Sequence, residues 1–369
     1  MKYILLSLLF LSQFTFAQEL AMVKKDGKFG YINRSGEFAV NPKYTKAKSF
    51  SEGLAAVFEN GKWGFINTKG EMVIQPVYDD VRSFGSGLCV VYKGKAGGYI
   101  DAKGNSVTTP ATEKYYDFED GLAFYKTGET VGVINTEGKV VIPATYQGIK
   151  PFENGFARAK RDNKYGIIDN KGKIVVDLIY DEIGQYYKGV TPAKKGEEYG
   201  LVKENKFTAL AGAEKIWDYS EQDLAYARKD KLVGFIDLNG KWIIEPKYDK
   251  ARAFAKGMAP VAVGEKWGYV NTNGKVVVEP KYNDAEVFSK EGLAPVKETD
   301  WGFIDATGKV VIPTKYDISA AFGFMSGKEQ KGFIDGLARV KSESKWAFID
   351  AKGNVLGNKW FENAELFSK

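Results

Sequence analysis

No histidine occurs in the 369 residues, and cysteine occurs once. The missing imidazole removes Ser–His and Cys–His nucleophile pairs, imidazole metal ligands and the commonest general base together. A zinc site is excluded on ligand count. Cys89, standing alone, excludes an intramolecular disulfide, so stability has to come from burial and a free buried thiol is expected. No G-x-x-x-x-G-K-[ST] loop is present to cradle phosphate. No segment approaches the roughly 18 continuous apolar residues of a membrane helix, so no membrane span is expected. Charge of one sign is not concentrated either. Lys and Arg number 53 against 47 Asp and Glu, a net of +6 spread along the chain, and no basic cluster or nucleic-acid motif accompanies it.

Carboxylates are what remains for catalysis, and a glycosidase needs two. Asp79 with Asp80, or Asp284 with Glu286, supply the residue types. The equivalents of Asp79 recur at Asp181, Asp249 and Asp317, which suits a side chain bonded to its local backbone better than a reaction centre. We therefore expect no enzyme, no metal and no cofactor.

The first residues read as an address. Lys2 precedes an apolar run from Ile4 to Phe10, and Thr15 and Ala17 put small residues where a signal peptidase inspects the chain. Residues 1–17 are expected to be a signal peptide cleaved after Ala17, leaving residues 18–369 as a secreted or periplasmic protein. No cysteine lies near the cut to carry a lipid anchor.

Beyond it, self-similarity dominates. A glycine recurs at Gly30, Gly64, Gly98, Gly132, Gly166, Gly200, Gly234, Gly268 and Gly302 in steps of 34, usually after an aromatic, and a tenth copy follows at Trp346-Ala347. A turn glycine (Gly36, Gly70, Gly104 and onward), a tyrosine (Tyr44, Tyr78, Tyr146 and onward) and an aromatic six residues later (Phe50, Phe84, Phe152, Tyr186, Phe254, Phe288, Phe322) keep the same time. A fixed period in this range marks a repeat architecture.

Within one unit, Met258 to Val263, Lys266 to Asn271 and Lys275 to Val278 read as three strands separated by tight turns, an antiparallel meander. Gly268 is expected to admit a close neighbour where a side chain would clash. Pro192, Pro260 and Pro295 share one position in the first strand and suggest that it is an edge. The stretch from Tyr248 to Phe254 reads as no more than one short turn carrying an aromatic plug. The fold expected is all-β, about ten three-stranded units. Blades of propellers usually use four strands and 40 or more residues, and rings typically hold four to eight, so an open solenoid is favoured over propeller closure.

The run Gly61-Lys62-Trp63-Gly64-Phe65-Ile66-Asn67-Thr68-Lys69-Gly70, with near copies at Trp267-Gly268 and Trp301-Gly302, resembles the bacterial WG (KWG) repeat from about Leu20 to Phe367. The resemblance implies a binding or scaffolding module. Gly97, Val131 and Val233 depart from it by replacing the aromatic of the pair, and residues 198–222 lose the turn glycine, the proline and the tyrosine.

The recurrent Asn or Asp before each turn glycine (Asn67, Asp101, Asn271, Asp305 and their equivalents) offers too few oxygens for calcium and reads as turn chemistry. The expected function is protein–protein interaction or envelope scaffolding. The alternative is binding of a carbohydrate or cell-wall polymer through exposed aromatics such as Trp63, Trp267, Trp301 and Trp346. Function in repeat proteins sits in irregular loops. The candidate contacts are therefore Trp217 and Tyr219 in the decayed unit (194–230), and Phe324, Met325, Lys328 and Glu329 in the insertion (about 323–335).

Overall fold

The computed structural model describes residues 18–318, 321–322 and 329–369. The expected leader (1–17) and Phe324, Met325 and Lys328 lie outside that set. Glu329 is placed through its backbone only, in the strand Glu329–Gln330 that pairs with Ala321–Phe322.

The described chain is all-β apart from one 3₁₀ turn at Leu356–Asn358. Nine of the ten units are built as expected over their second to fourth strands; in the tenth the fourth strand is reduced to isolated bridges. The eighth shows the pattern. Met258–Val263 pairs antiparallel with Lys266–Asn271, and that strand pairs with Val276–Tyr282. The Tyr-to-Phe stretch adds a strand that the sequence reading missed. Lys250–Ala251 pairs with Val261 and Ala262, so the unit is a four-stranded blade. Two residues are too few to show a period, which is why the stretch reads as a turn. The same economy lets a four-stranded blade fit in 34 residues.

The proline expectation is corrected by this extra strand. Pro192, Pro260 and Pro295 lie in a strand paired on both sides. They are tolerated because the first strand ends beside them. Pro260 has no N–H to offer, and its carbonyl accepts the N–H of Arg252 (3.0 Å) just past the two-residue strand.

The open solenoid is corrected too. Among the described residues ten sheets form blades, seven of four strands and three of three, and the first blade pairs the first and last described strands. Asn363–Ser368 pairs antiparallel with Leu20–Lys25 and takes the place of the short first strand in blade 1. The tenth and first blades share an apolar cluster of Ala21, Val23 and Ile32 with Phe348, Phe361 and Ala364. Lys359 Nζ donates to Gly36 O at 2.8 Å, and the Gly27 N–H donates to Glu362 Oε1 at 3.1 Å. The array is therefore a closed ten-bladed β-propeller, numbered here from the blade containing Leu20–Lys25.

The glycine of the motif has a steric cause. In blade 8 the third and fourth strands fall out of register: Trp267 faces Tyr282, while Tyr269 faces Val278. The extra fourth-strand residues arch over Gly268, where a Cβ would lie 2.3 Å from Val278 O and 2.7 Å from Pro280 N. The neighbour admitted by the glycine is thus the backbone of its own blade. Asx turns close the same hairpins. Asn67 Oδ1 accepts the N–H groups of Lys69 and Glu71, both at 3.0 Å, and Gly70 takes φ +81°.

Aromatic plugs join the blades. Phe50 meets Tyr31 edge-on at 4.7 Å, Phe254 meets Phe235 at 4.7 Å and Phe288 meets Tyr269 at 5.1 Å. Each ring passes from one blade to the next, and edge-to-face pairs of this kind contribute about 0.5–1.5 kcal/mol beyond area burial. For Phe303 the partner is Phe333, eleven residues beyond Phe322, so the insertion lies before the plug and the repeat resumes at Phe333.

Candidate functional site

In a closed ring, neighbouring blades approach most closely at the edge nearest the axis. The short first strands meet that description. Lys48 Nζ reaches Val81 O in the next blade, Arg252 Nη1 reaches Ala285 O, and Lys215 Nζ of blade 7 lies 2.7 Å from Glu182 Oε2 of blade 6. The fourth strands form the perimeter and expose alternate residues there, among them Val73, Val77, Ile174 and Ile179.

Immediately after each short strand comes one residue per blade with the same backbone placement. Its N–H donates to the second strand: Lys48 to Ala56 O, Arg82 to Val90 O, Lys150 to Arg158 O, Gly184 to Pro192 O, Trp217 to Tyr226 O, Arg252 to Pro260 O and Glu286 to Pro295 O, at 2.7–3.0 Å. From below, a third-strand tyrosine of the preceding blade fixes the carbonyl of this residue. Tyr31 Oη donates to Lys48 O at 2.8 Å, Tyr99 Oη to Tyr116 O at 2.7 Å and Tyr269 Oη to Glu286 O at 2.8 Å. Burial pushes all three phenols well above the ordinary tyrosine range. Lys331 and Glu365 hold the position in blades 10 and 1, by their distance of two residues from the plugs Phe333 and Phe367. The rim therefore reads Glu365, Lys48, Arg82, Tyr116, Lys150, Gly184, Trp217, Arg252, Glu286, Lys331.

The rim cations cover the motif tryptophans. Arg252 lies 4.8 Å from the centre of the Trp267 ring, Lys48 5.4 Å from that of Trp63 and Lys331 5.0 Å from that of Trp301. In blade 10 the cover comes from the second strand instead, where Arg339 sits 4.5 Å from Trp346 and donates to Ala364 O at 2.8 Å. Trp267 and Trp301 are buried, and Trp63 and Trp346 half-buried. A ladder of exposed tryptophans is not present at these positions, and the tryptophan and glycine of each pair (Trp63-Gly64, Trp267-Gly268, Trp301-Gly302) belong to the core and the blade junctions.

In each candidate carboxylate pair at least one member is already bound to neighbouring cations or backbone N–H groups. Glu286 lies between Arg252 and Lys331, 2.8 Å from each, and Asp284 pairs with Arg252 at 3.1 Å. Asp79 Oδ1 is held by Lys62, and its Oδ2 accepts the Gly94 N–H at 2.8 Å. Those two contacts hold its carboxyl below the usual carboxylate range. Asp181 repeats the arrangement with Lys164 and Gly196. The aspartate after the tyrosine thus fastens the next hairpin.

The decayed unit is where the rim opens. Glu204 and Asn205, both at positive φ, replace the glycine turn with a two-residue one, and the fourth strand shrinks to Lys206–Ala209. The following first strand lengthens to Ala213–Ile216. Gly184 leaves the rim of blade 6 without a side chain, and a cleft of about 350 Å³ lies there, lined from three successive blades. Trp217 lines it, one face stacked on Tyr226 at 4.7 Å. Tyr219 does not; it is buried and donates to Asp237 O at 2.9 Å, a packing role. Arg158, Lys194 and Tyr199 of the cleft and the rim series itself escaped the sequence reading. The signal was available two residues before each plug, at Lys48, Arg82 and Arg252, but it is a shared position with changing chemistry.

The model of the WG-containing repeat matches residues 29–63, 63–95, 98–130, 132–165, 165–199, 234–267, 267–300 and 301–323. No curated protein matches the sequence. A crystal structure of a eukaryotic initiation factor aligns over 95% of this chain and 98% of its own, with a TM-score of 0.52 at 10% identity, a likeness of fold alone. The dihydro-heme d1 dehydrogenase NirN aligns over 81% of this chain and 73% of its own, with a TM-score of 0.36 at 13% identity.

Proposed function

This chain belongs to the WG-containing repeat family, and from that membership we propose that it is a non-enzymatic interaction module which engages a protein partner through the axial rim of its ring. One observation carries the reading. Seven rim residues are held by the same backbone hydrogen bond, yet their side chains run from none through aromatic to both signs of charge. A rigid frame that varies one displayed side chain per unit suits recognition, because the groups are ordered before binding and little conformational entropy is lost on contact. The paired strands Ala321–Phe322 and Glu329–Gln330 end one residue before Lys331, so the insertion joins the chain next to that rim position.

We place this activity outside the cytoplasm, in the periplasm or beyond, on the pattern of Lys2, the apolar run from Ile4 to Phe10 and the small residues Thr15 and Ala17. The test is affinity capture from an envelope extract on the immobilised mature chain, compared with an Arg82→Glu/Lys150→Glu variant that melts at the same temperature. A partner retained by the native chain and lost by the variant supports the reading. Retention indifferent to rim charge, or turnover of a peptide or glycan by the purified protein, overturns it.

A further inference from the structure

The cleft at blades 6 and 7 carries a second proposal, which goes beyond the rim reading and does not depend on it. We propose that it binds a carboxylated sugar residue of the hexuronic acid type. Its volume of about 350 Å³ falls at the small end of ligand sites, which begin near 300 Å³.

Its charges are unevenly satisfied. Glu182 is fully used: Oε1 accepts Tyr199 Oη at 2.9 Å, and Oε2 pairs with Lys215 Nζ at 2.7 Å. Those contacts hold the Glu182 carboxyl below its ordinary range. Asp218 Oδ1 accepts the Gln185 N–H at 2.7 Å, and no partner meets Oδ2 among the described residues. On the cationic side, the half-buried Arg158 guanidinium has neither an ion pair nor a side-chain hydrogen bond among the described residues. Lys194 lies 5.5 Å from the centre of the Tyr199 ring and within the field of the Asp181 and Glu182 carboxylates. The cleft thus offers the Arg158 guanidinium for one carboxylate, an acceptor for a hydroxyl, and an indole stiffened by stacking on Tyr226 with the Arg228 guanidinium 6.0 Å from its centre. A hexuronic acid presents that set: a carboxylate, hydroxyl donors and an apolar ring face for Trp217. A neutral sugar lacks the anion, and a plain aromatic acid lacks the hydroxyls.

Gly184 is the residue that makes room. A Cβ there would lie 2.4 Å from Asp218 Oδ1 and 3.0 Å from Pro192 Cδ. Any side chain would push Asp218 aside and fill the cleft mouth.

The full mature chain is titrated by calorimetry with a digalacturonate, with the uncharged disaccharide of the same linkage, and with a short peptide ending in a free carboxylate. The galacturonate is expected to bind, the neutral disaccharide at least about tenfold more weakly, and the affinity to fall with added salt. Arg158→Gln is expected to cost about tenfold or more while leaving the melting temperature unchanged, and Arg158→Lys to recover part of that loss. Gly184→Val should abolish binding. Should that variant misfold, Arg158→Gln still decides. Absence of galacturonate binding at millimolar concentration, equal affinity for the neutral disaccharide, preference for the peptide or indifference to Arg158→Gln would each overturn the proposal. None of these results touches the rim capture experiment.

Discussion

The same substitution made at two equivalent glycines should have opposite outcomes, and the difference can be worked from the backbone. At Gly268 a Cβ would lie 2.3 Å from Val278 O, 2.7 Å from Pro280 N and 2.8 Å from Glu279 C. All three are main-chain atoms of the fourth strand, so relief requires moving a strand that is pinned through Tyr282 opposite Trp267 and Val278 opposite Tyr269. Overpacking against a fixed neighbour costs about 1–3 kcal/mol, and a backbone neighbour puts Gly268→Ala at the top of that range, about 3 kcal/mol.

At Gly98, the same position in blade 3, nothing lies within 4 Å and φ is not positive. The fourth strand there is only Ser106–Val107, so no arch crosses the glycine. Gly98→Ala then acts mainly through the unfolded chain, where the lost freedom stabilises the fold by about 0.4–1 kcal/mol. Urea unfolding followed by tryptophan fluorescence reads both. The midpoint should drop clearly for Gly268→Ala and hold or rise for Gly98→Ala. Equal losses at the two sites would refute the steric account, because they would mean that the motif glycine is needed for some property of its own strand.

Further outcomes follow from burial and charge. Cys89 is buried, its Sγ lies 3.2 Å from Arg82 O, and burial pushes the thiol up to about 12. It should resist a maleimide at pH 8 in the folded protein and react at once in denaturant, as mass spectrometry will show. High pH should unfold the ring. Tyr31, Tyr99, Tyr219 and Tyr269 are all held above the ordinary phenol range by burial. Above about pH 10 the unfolded chain gives up protons that the folded chain retains, so stability falls as pH rises, with Cys89 adding to the loss from about pH 9. The β signal in circular dichroism should be lost together with the last rise in phenolate absorbance; ionisation of all 21 phenols while the β signal persists would contradict the assigned burial.

Most of the blade was legible because its strands are long enough to carry a period. Lys266 to Asn271 shows a core strand, Asn271 to Gly274 a turn and Phe254 a plug, each repeated. What stayed hidden was either too short or too distant. Lys250–Ala251 is two residues long and has no alternation to detect, and without it Pro260 looks like an edge marker. Ring closure rests on Ala21 facing Phe367 and Val23 facing Ala364, pairings that link the two ends of the chain and carry no local trace. The cleft was half legible. The decay of residues 198–222 pointed to its place and to Trp217, while Arg158, one blade earlier on an ordinary strand, had nothing to distinguish it.

Ring closure itself can be tested by covalent capture across the seam. Lys24 and Asn363 are paired across the joint of the two terminal strands, and residues opposed in an antiparallel ladder stand about 4.5–5.5 Å apart, within disulfide reach. A Lys24→Cys/Asn363→Cys protein should oxidise to an intramolecular disulfide at high dilution, retained on a nonreducing gel as a faster band, with Cys89 left free. Failure to form it in the folded monomer, or formation only between chains, would contradict the closed ring.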